Sequence, residues 1–241
     1  MKEKNNFLTI IFATSLIPLL LNLMVANQVS SYDFLGWEQG KSGYELAILD
    51  AEMDEKPVVL YFHLLESKWC EQMNNDYLAV PEIENFLSDI PKVAVNPDEN
   101  EDNAALAETF KLLEYPAFFV LMPSFKLEPQ RIHPFSKKGN ITPDEFLETL
   151  KGIITNPYNK KAFSFYEKKD YQNAIKYFEK SLTLDPNQAY NYHALGIIHS
   201  TMWADKKDEE ILKKAIGYFQ KALKIDPNHK ESKAELKKLG K

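Results

Sequence analysis

Ala174-x3-Phe178 followed by Asp185-Pro186-Asn187 returns as Ala215-x3-Phe219 followed by Asp226-Pro227-Asn228, with the two copies 41 residues apart. A period in the range of about 20–50 residues marks stacked supersecondary units, each too small to bury its apolar face alone. From Tyr158 to Lys241 no strand candidate interrupts the helical pattern. This part of the chain therefore reads as an all-α tail. The 241 residues, 44% of them hydrophobic and 12% aromatic, leave room for a separate cored domain ahead of it.

In one copy Tyr158, Ala162, Phe165, Tyr171, Ala174, Phe178, Ser181 and Pro186 fall at regular positions. In the other, Tyr192, Leu195, Gly196, Ala215, Phe219, Ala222 and Pro227 do so. These residues resemble the tetratricopeptide (TPR) repeat, whose period is about 34 residues with small, aromatic and proline positions. Ser181 departs from the usual alanine, and seven extra residues around Met202 to Glu209 stretch the second copy from 34 to 41. The resemblance implies two repeats, 157–187 and 188–228, with 229–239 as a capping helix, and TPR packing roles for Ala174, Phe178, Pro186, Ala215, Phe219 and Pro227. About three repeats are needed to bury a continuous core, so this tail is expected to lean on the first domain, dimerise, or be completed by a partner.

Residues 32–156 alternate between helix and strand signals. Tyr44 to Glu55 has helical spacing and ends at Lys56-Pro57. Val58-Val59-Leu60-Tyr61-Phe62 is continuous, β-branched and aromatic, so it reads as a strand buried on both faces. Helices are expected over 71–79, 81–88 and 103–113, and strands over 92–95, 117–122 and, more weakly, 131–135. Thr142 is expected to cap a last helix through Ile154, and Asn156-Pro157 to mark the boundary. The order α-β-α-β-α-β-β-α gives an α/β domain.

Cys70, the lone cysteine, lies in Ser67-Lys68-Trp69-Cys70-Glu71-Gln72-Met73, ahead of Pro81 and of Tyr115-Pro116. With the buried strand, these residues resemble the thioredoxin-like fold over roughly residues 34–155, in its C-x-W-C-x-x-M branch. Counted from Phe62 without a gap, Ser67 takes the place of the attacking cysteine and Cys70 that of the second thiol. Exchange chemistry needs a thiolate at the helix start and a second thiol to release the mixed disulfide, and serine can supply neither. The same register puts Tyr61 where the family often keeps a buried acid. A gapped register, with three residues inserted after Phe62, would make Cys70 the attacking thiol, and the ungapped one is preferred. The resemblance also implies a central mixed sheet flanked by helices, a cis bond before Pro116 and a client groove formed by Trp69, Tyr115 and Pro116.

Other signals exclude more than they suggest. Net charge is −6, opposed to nucleic-acid binding, which needs clustered cations. His63, His133, His193, His199 and His229 lack metal-ligand spacing, and no cofactor is implied. Asp98-x-Asn100-x-Asp102 starts like a calcium loop, but Asn103 replaces the required glycine and Thr109 the bidentate glutamate. Ser67 near His63 lacks a third carboxylate or an oxyanion-hole signature.

At the N-terminus Lys2 and Lys4 precede twenty uncharged residues, Phe7 to Ala26, which predicts an apolar helix in residues 1–31. That length suits an uncleaved anchor better than a signal peptide, whose apolar region runs about 7–15 residues, with the basic end held in the cytoplasm. The rest of the chain is expected to be extracytoplasmic, or periplasmic or secreted if Ala26 ends a cleaved leader. Together these features predict a non-catalytic thioredoxin-like/TPR protein of the cell envelope that binds other proteins. The alternatives are a monothiol redox protein, or a chaperone for exported proteins, acting through Cys70.

Overall fold

Val58–Phe62, buried at all five positions, becomes the central strand of a five-stranded sheet in the computed structural model, which describes residues 34–136 and 139–240. The strands are β1 (Glu38–Gln39), β2 (Val58–Phe62), β3 (Lys92–Val95), β4 (Ala117–Leu121) and β5 (Gln130–Ile132), in the order β1-β3-β2-β4-β5. β1 and β2 pair parallel with β3, whereas β2–β4 and β4–β5 are antiparallel. The sheet is mixed, as the thioredoxin-like resemblance implies. β1 was not expected from the sequence, because two exposed residues carry no alternation to read. β5 ends at Ile132 rather than Phe135, with Pro134 unable to donate to a ladder.

Helices cover both faces. Ala47 and Ala51 of α1 (Gly40–Asp54) and Leu106 and Ala107 of α4 (Glu101–Thr109) pack with Val58, Leu60, Phe62 and Phe119 on one face. On the other lie α2 (Lys68–Met73), a π-helical turn (Asn74–Leu78), α3 (Pro81–Leu87) and the start of α5 (Pro143–Glu167). There Phe146 of α5 meets Phe118 at 5.2 Å and Tyr77 at 5.4 Å between ring centres. Thr142 caps α5 as expected, in a reciprocal box with Glu145: Glu145 N donates to Thr142 Oγ1 and Thr142 N to Glu145 Oε2. The calcium-like stretch is the N-terminal cap of α4, where Asn100 accepts from Asn103 N at 2.9 Å. Among the described residues no cluster could hold a metal ion, and no helix is long and apolar enough to cross a membrane. The expected N-terminal helix lies outside the described residues.

α5 does not stop at Asn156-Pro157. It runs through Pro157 to Glu167, and its buried Ile154 and Tyr158 flank the proline. Pro157 removes one backbone donor, yet packing on both sides keeps the segment helical. The second half of α5 pairs with α6 (Tyr171–Leu184) as the first hairpin, α7 (Ala189–Lys206) with α8 (Glu209–Ile225) as the second, and α9 (Lys230–Lys238) follows. Ala162, Ala174, Phe178, Leu195, Ala215, Phe219 and Ala222 are all fully buried. Pro186 and Pro227 are exposed instead, so their expected packing role is corrected. They follow the capping residues Asp185 and Asp226, where proline's fixed φ and missing N–H end a helix. Ser181, the departure from alanine, is fully buried and accepts from Asn191 Nδ2 and Gln188 Nε2, both at 3.1 Å. Its hydroxyl ties the two hairpins together.

The tail rests on the first domain at Glu55, whose φ of 55° lies in the left-handed region at the end of α1. Its carboxylate accepts from Lys180 Nζ at 2.6 Å, Tyr177 OH at 2.7 Å and Lys161 Nζ at 2.9 Å. Its backbone carbonyl accepts from Tyr158 OH, and Phe125 of the first domain lies edge-on to Tyr158 at 4.9 Å.

Candidate functional site

The loop after β2 delivers the motif. Ser67 is extended (φ −95°, ψ 117°) and its hydroxyl accepts from Cys70 N at 3.3 Å, so it is the N-cap of α2. Cys70 points inward. It is 1% exposed, and Leu64 N donates to its Sγ at 3.4 Å. Tyr61 lies under the same turn, with its hydroxyl donating to Asn74 Oδ1 at 3.0 Å and standing 3.4 Å from Cys70 O. An aromatic phenol thus occupies the space below α2.

His63, one residue past β2, is 6% exposed, with its ring 4.6 Å from that of Phe34 and 5.5 Å from that of Tyr61. Burial lowers its pKa to about 4. A neutral imidazole packed among rings has the surroundings of a core residue.

Trp69 faces the other way from Cys70 and is 54% exposed. Its ring lies 5.2 Å from that of Phe135, and the Tyr115–Pro116 bond is cis. Trp69, Tyr115 and Pro116, the three residues expected to form a client groove, do line one open groove of about 450 Å³. Arg131, His133 and Phe135 complete it, and the sequence reading did not single these out. Their i, i+2, i+4 spacing, which places side chains on one face of an extended segment, was the available signal. Arg131 is held loosely: one terminal nitrogen is 3.5 Å from Glu114 Oε1 and 3.5 Å from Pro116 O. Burial lowers the pKa of Arg131, and burial together with the nearby Arg131 lowers that of His133.

The repeat residues form no site with these. Ala174, Phe178, Ala215 and Phe219 are interior to the tail. Gly196 is required there, since a Cβ at that position would stand 2.5 Å from Phe219 Cε1.

Residues 156–188 match the tetratricopeptide repeat family model, which falls on the first of the two copies. A search of the curated proteins finds no match. Among solved structures, a thioredoxin from Thermus thermophilus is similar at 24% identity, over 48% of this chain and 86% of that one, with a TM-score of 0.39. The C-terminal domain of DsbD from Neisseria meningitidis in its oxidised form is similar at 23% identity, over 48% and 97%, with a TM-score of 0.37. A DsbH oxidoreductase is similar at 19% identity, over 49% and 83%, with a TM-score of 0.40.

Proposed function

We propose that this is a non-catalytic binding protein of the cell envelope, which holds an extended client segment in the Trp69–Tyr115–Pro116 groove and engages further protein through its helical tail. One observation carries the reading: the two motif positions are occupied structurally while the groove beside them is open. Ser67 spends its hydroxyl on a helix cap, and Cys70 has 1% of its surface exposed. Disulfide exchange requires a client sulfur to approach the attacking thiolate directly, and in this arrangement Cys70 offers no path. Trp69, by contrast, leaves over half of its large surface free next to Phe135, the kind of aromatic anchor that dominates protein recognition. The envelope location rests on Lys2 and Lys4 ahead of the uncharged run Phe7 to Ala26.

Crosslinking pull-downs from the native envelope test the reading. Clients captured by the wild-type chain should be retained by Cys70→Ala, survive reductant, and be lost from Trp69→Ala. Capture that vanishes in Cys70→Ala or under reductant, and persists in Trp69→Ala, would establish a monothiol redox protein instead.

A further inference from the structure

The shortest helix of the tail is also its last. α9 spans nine residues, Lys230–Lys238, and an isolated helix of fewer than about 12–15 residues is marginal in water. Its persistence therefore depends on how it is seated against the second hairpin.

Two histidines make that seat. His229 is the N-cap of α9, and its Nδ1 accepts from Ser232 N at 3.3 Å, which needs the lone pair of an unprotonated nitrogen. Ser232 is fully buried, and its hydroxyl lies 3.0 Å from Nδ1 of His193 on α7. The His193 and His229 rings stand 4.9 Å apart, centre to centre, beside this serine.

Imidazole changes charge between about pH 5 and 8. A proton on His229 Nδ1 turns the cap acceptor into a donor, strips the buried Ser232 N–H of its partner, and sets a positive charge at the positive end of the α9 dipole. A proton on His193 adds a second charge 4.9 Å away. The groups around the pair do little to offset this. From α9, Glu231 lies 3.5 Å from His229 Nδ1 but leaves 70% of its side chain in solvent, where ion pairing is weak, and Glu235 is taken by Lys238 at 2.6 Å. At the end of α8, Asp226 spends a carboxylate oxygen on Asn228 N at 2.9 Å, and Phe219 lies 5.5 Å from the His193 ring. Tyr190 of α7 lies 6.5 Å from that ring, and Tyr166 of α5 shares a cavity of about 160 Å³ with it. Burial first, and His229 second, lower the pKa of His193 against the opposing pull of Glu235 and Glu231.

We propose that the His193–Ser232–His229 contact is a pH-sensitive latch: α9 is seated on α7 and α8 while both imidazoles are neutral, and proton uptake by them releases it, baring the surface around His193 and Phe219. The released state binds more protons than the seated one. Seating therefore weakens as pH falls below about 6.5, the ordinary histidine value, by about tenfold per pH unit for each proton taken up. The latch is separate from the Trp69 groove and stands independently of the client reading above.

Amide hydrogen exchange of the full-length chain, corrected for intrinsic rates, tests this between about pH 7.5 and about pH 5.5. Amides of α9, Ser232 included, should lose about tenfold or more of their protection relative to those of α7 and α8, and regain it when the pH is restored. His229→Asn keeps a cap acceptor that does not titrate and should roughly halve the pH slope, one proton remaining of two. Adding His193→Gln, which keeps a hydrogen-bonding group opposite Ser232, should flatten it. Unchanged α9 protection in the wild type, an equal loss across α7 and α8, or the full wild-type slope in His229→Asn each overturns the proposal. A slope that survives in the double variant also overturns it, and if that variant leaves α9 unseated at neutral pH, His229→Asn alone decides.

Discussion

The Glu55 carboxylate accepts a 2.6 Å hydrogen bond from Lys180 Nζ across 125 residues of sequence. It joins the last turn of α1 to the tail's second helix, and Tyr177 and Lys161 add their donors to the same two oxygens. Two tandem repeats bury too little to stand as a continuous core, and this seam, together with Tyr158 and Phe125, supplies what a third repeat would otherwise give.

Removing the carboxylate charge should therefore weaken the whole described chain, not the tail alone. Glu55→Gln is expected to cost about 1–3 kcal/mol, because partly buried donors lose a charged acceptor. Urea unfolding of Glu55→Gln, Lys180→Met and the double variant should show a coupling of about 0.5–3 kcal/mol, the range for residues in direct contact. Additive losses would mean that the seam carries no cooperative energy.

The same group sets an acid limit. Burial pushes the Glu55 pKa up, but the hydrogen bonds from Lys180, Tyr177 and Lys161 outweigh it and bring it from 4.5 to about 2. A carboxyl whose pKa is depressed on folding contributes stability that is complete above its unfolded value. That contribution is lost as pH falls from about 4.5 towards 2. Wild type and Glu55→Gln should thus differ by a constant amount at neutral pH and converge through this window, as read by unfolding midpoints against pH. A difference that stays flat to pH 2 would show that Glu55 is unpaired in solution.

At the motif, Ser67→Ala removes the cap on α2 and should cost about 1 kcal/mol. Labelling of Cys70 by a thiol-directed alkylating agent should remain as slow as global unfolding in both wild type and Ser67→Ala, since the thiol is shielded by β2 and α2 and not by Ser67. Fast labelling of the native wild type would contradict the buried placement and reopen the redox reading.

How much of this was legible depended on range. β2 and β4 were readable because continuous apolar runs such as Val58–Phe62 and Ala117–Leu121 need no partner to identify them. The groove was readable only through family resemblance, since Trp69 and Tyr115 lie 46 residues apart and nothing local joins them. The passage of α5 through Pro157 was not readable, because proline reads as a break unless the packing of Ile154 and Tyr158 is known. Glu55 carried no signal at all: a lone acid after a helix gives no hint of partners more than a hundred residues away. The insertion announced its length in the 41-residue spacing, but whether it formed a loop or two longer helices was decided by packing.

Gly196 is the position where repeat pattern and packing agree most closely, and it gives the sharpest test of the tail. A methyl group there would stand 2.5 Å from Phe219 Cε1 and 2.6 Å from its Cδ1, and Phe219 is fully buried with no room to turn aside. Alanine normally favours a helix over glycine by about 1 kcal/mol, so a tail governed by local propensity would be stabilised by Gly196→Ala. Overpacking of a filled interior costs about 1–3 kcal/mol, which outweighs that gain. Gly196→Ala is therefore expected to lower the unfolding midpoint, whereas Gly217→Ala, with nothing within 4 Å of the added Cβ, should raise it. If both substitutions stabilise the chain to the same extent, α7 and α8 do not approach as closely at Phe219 as the structure has them.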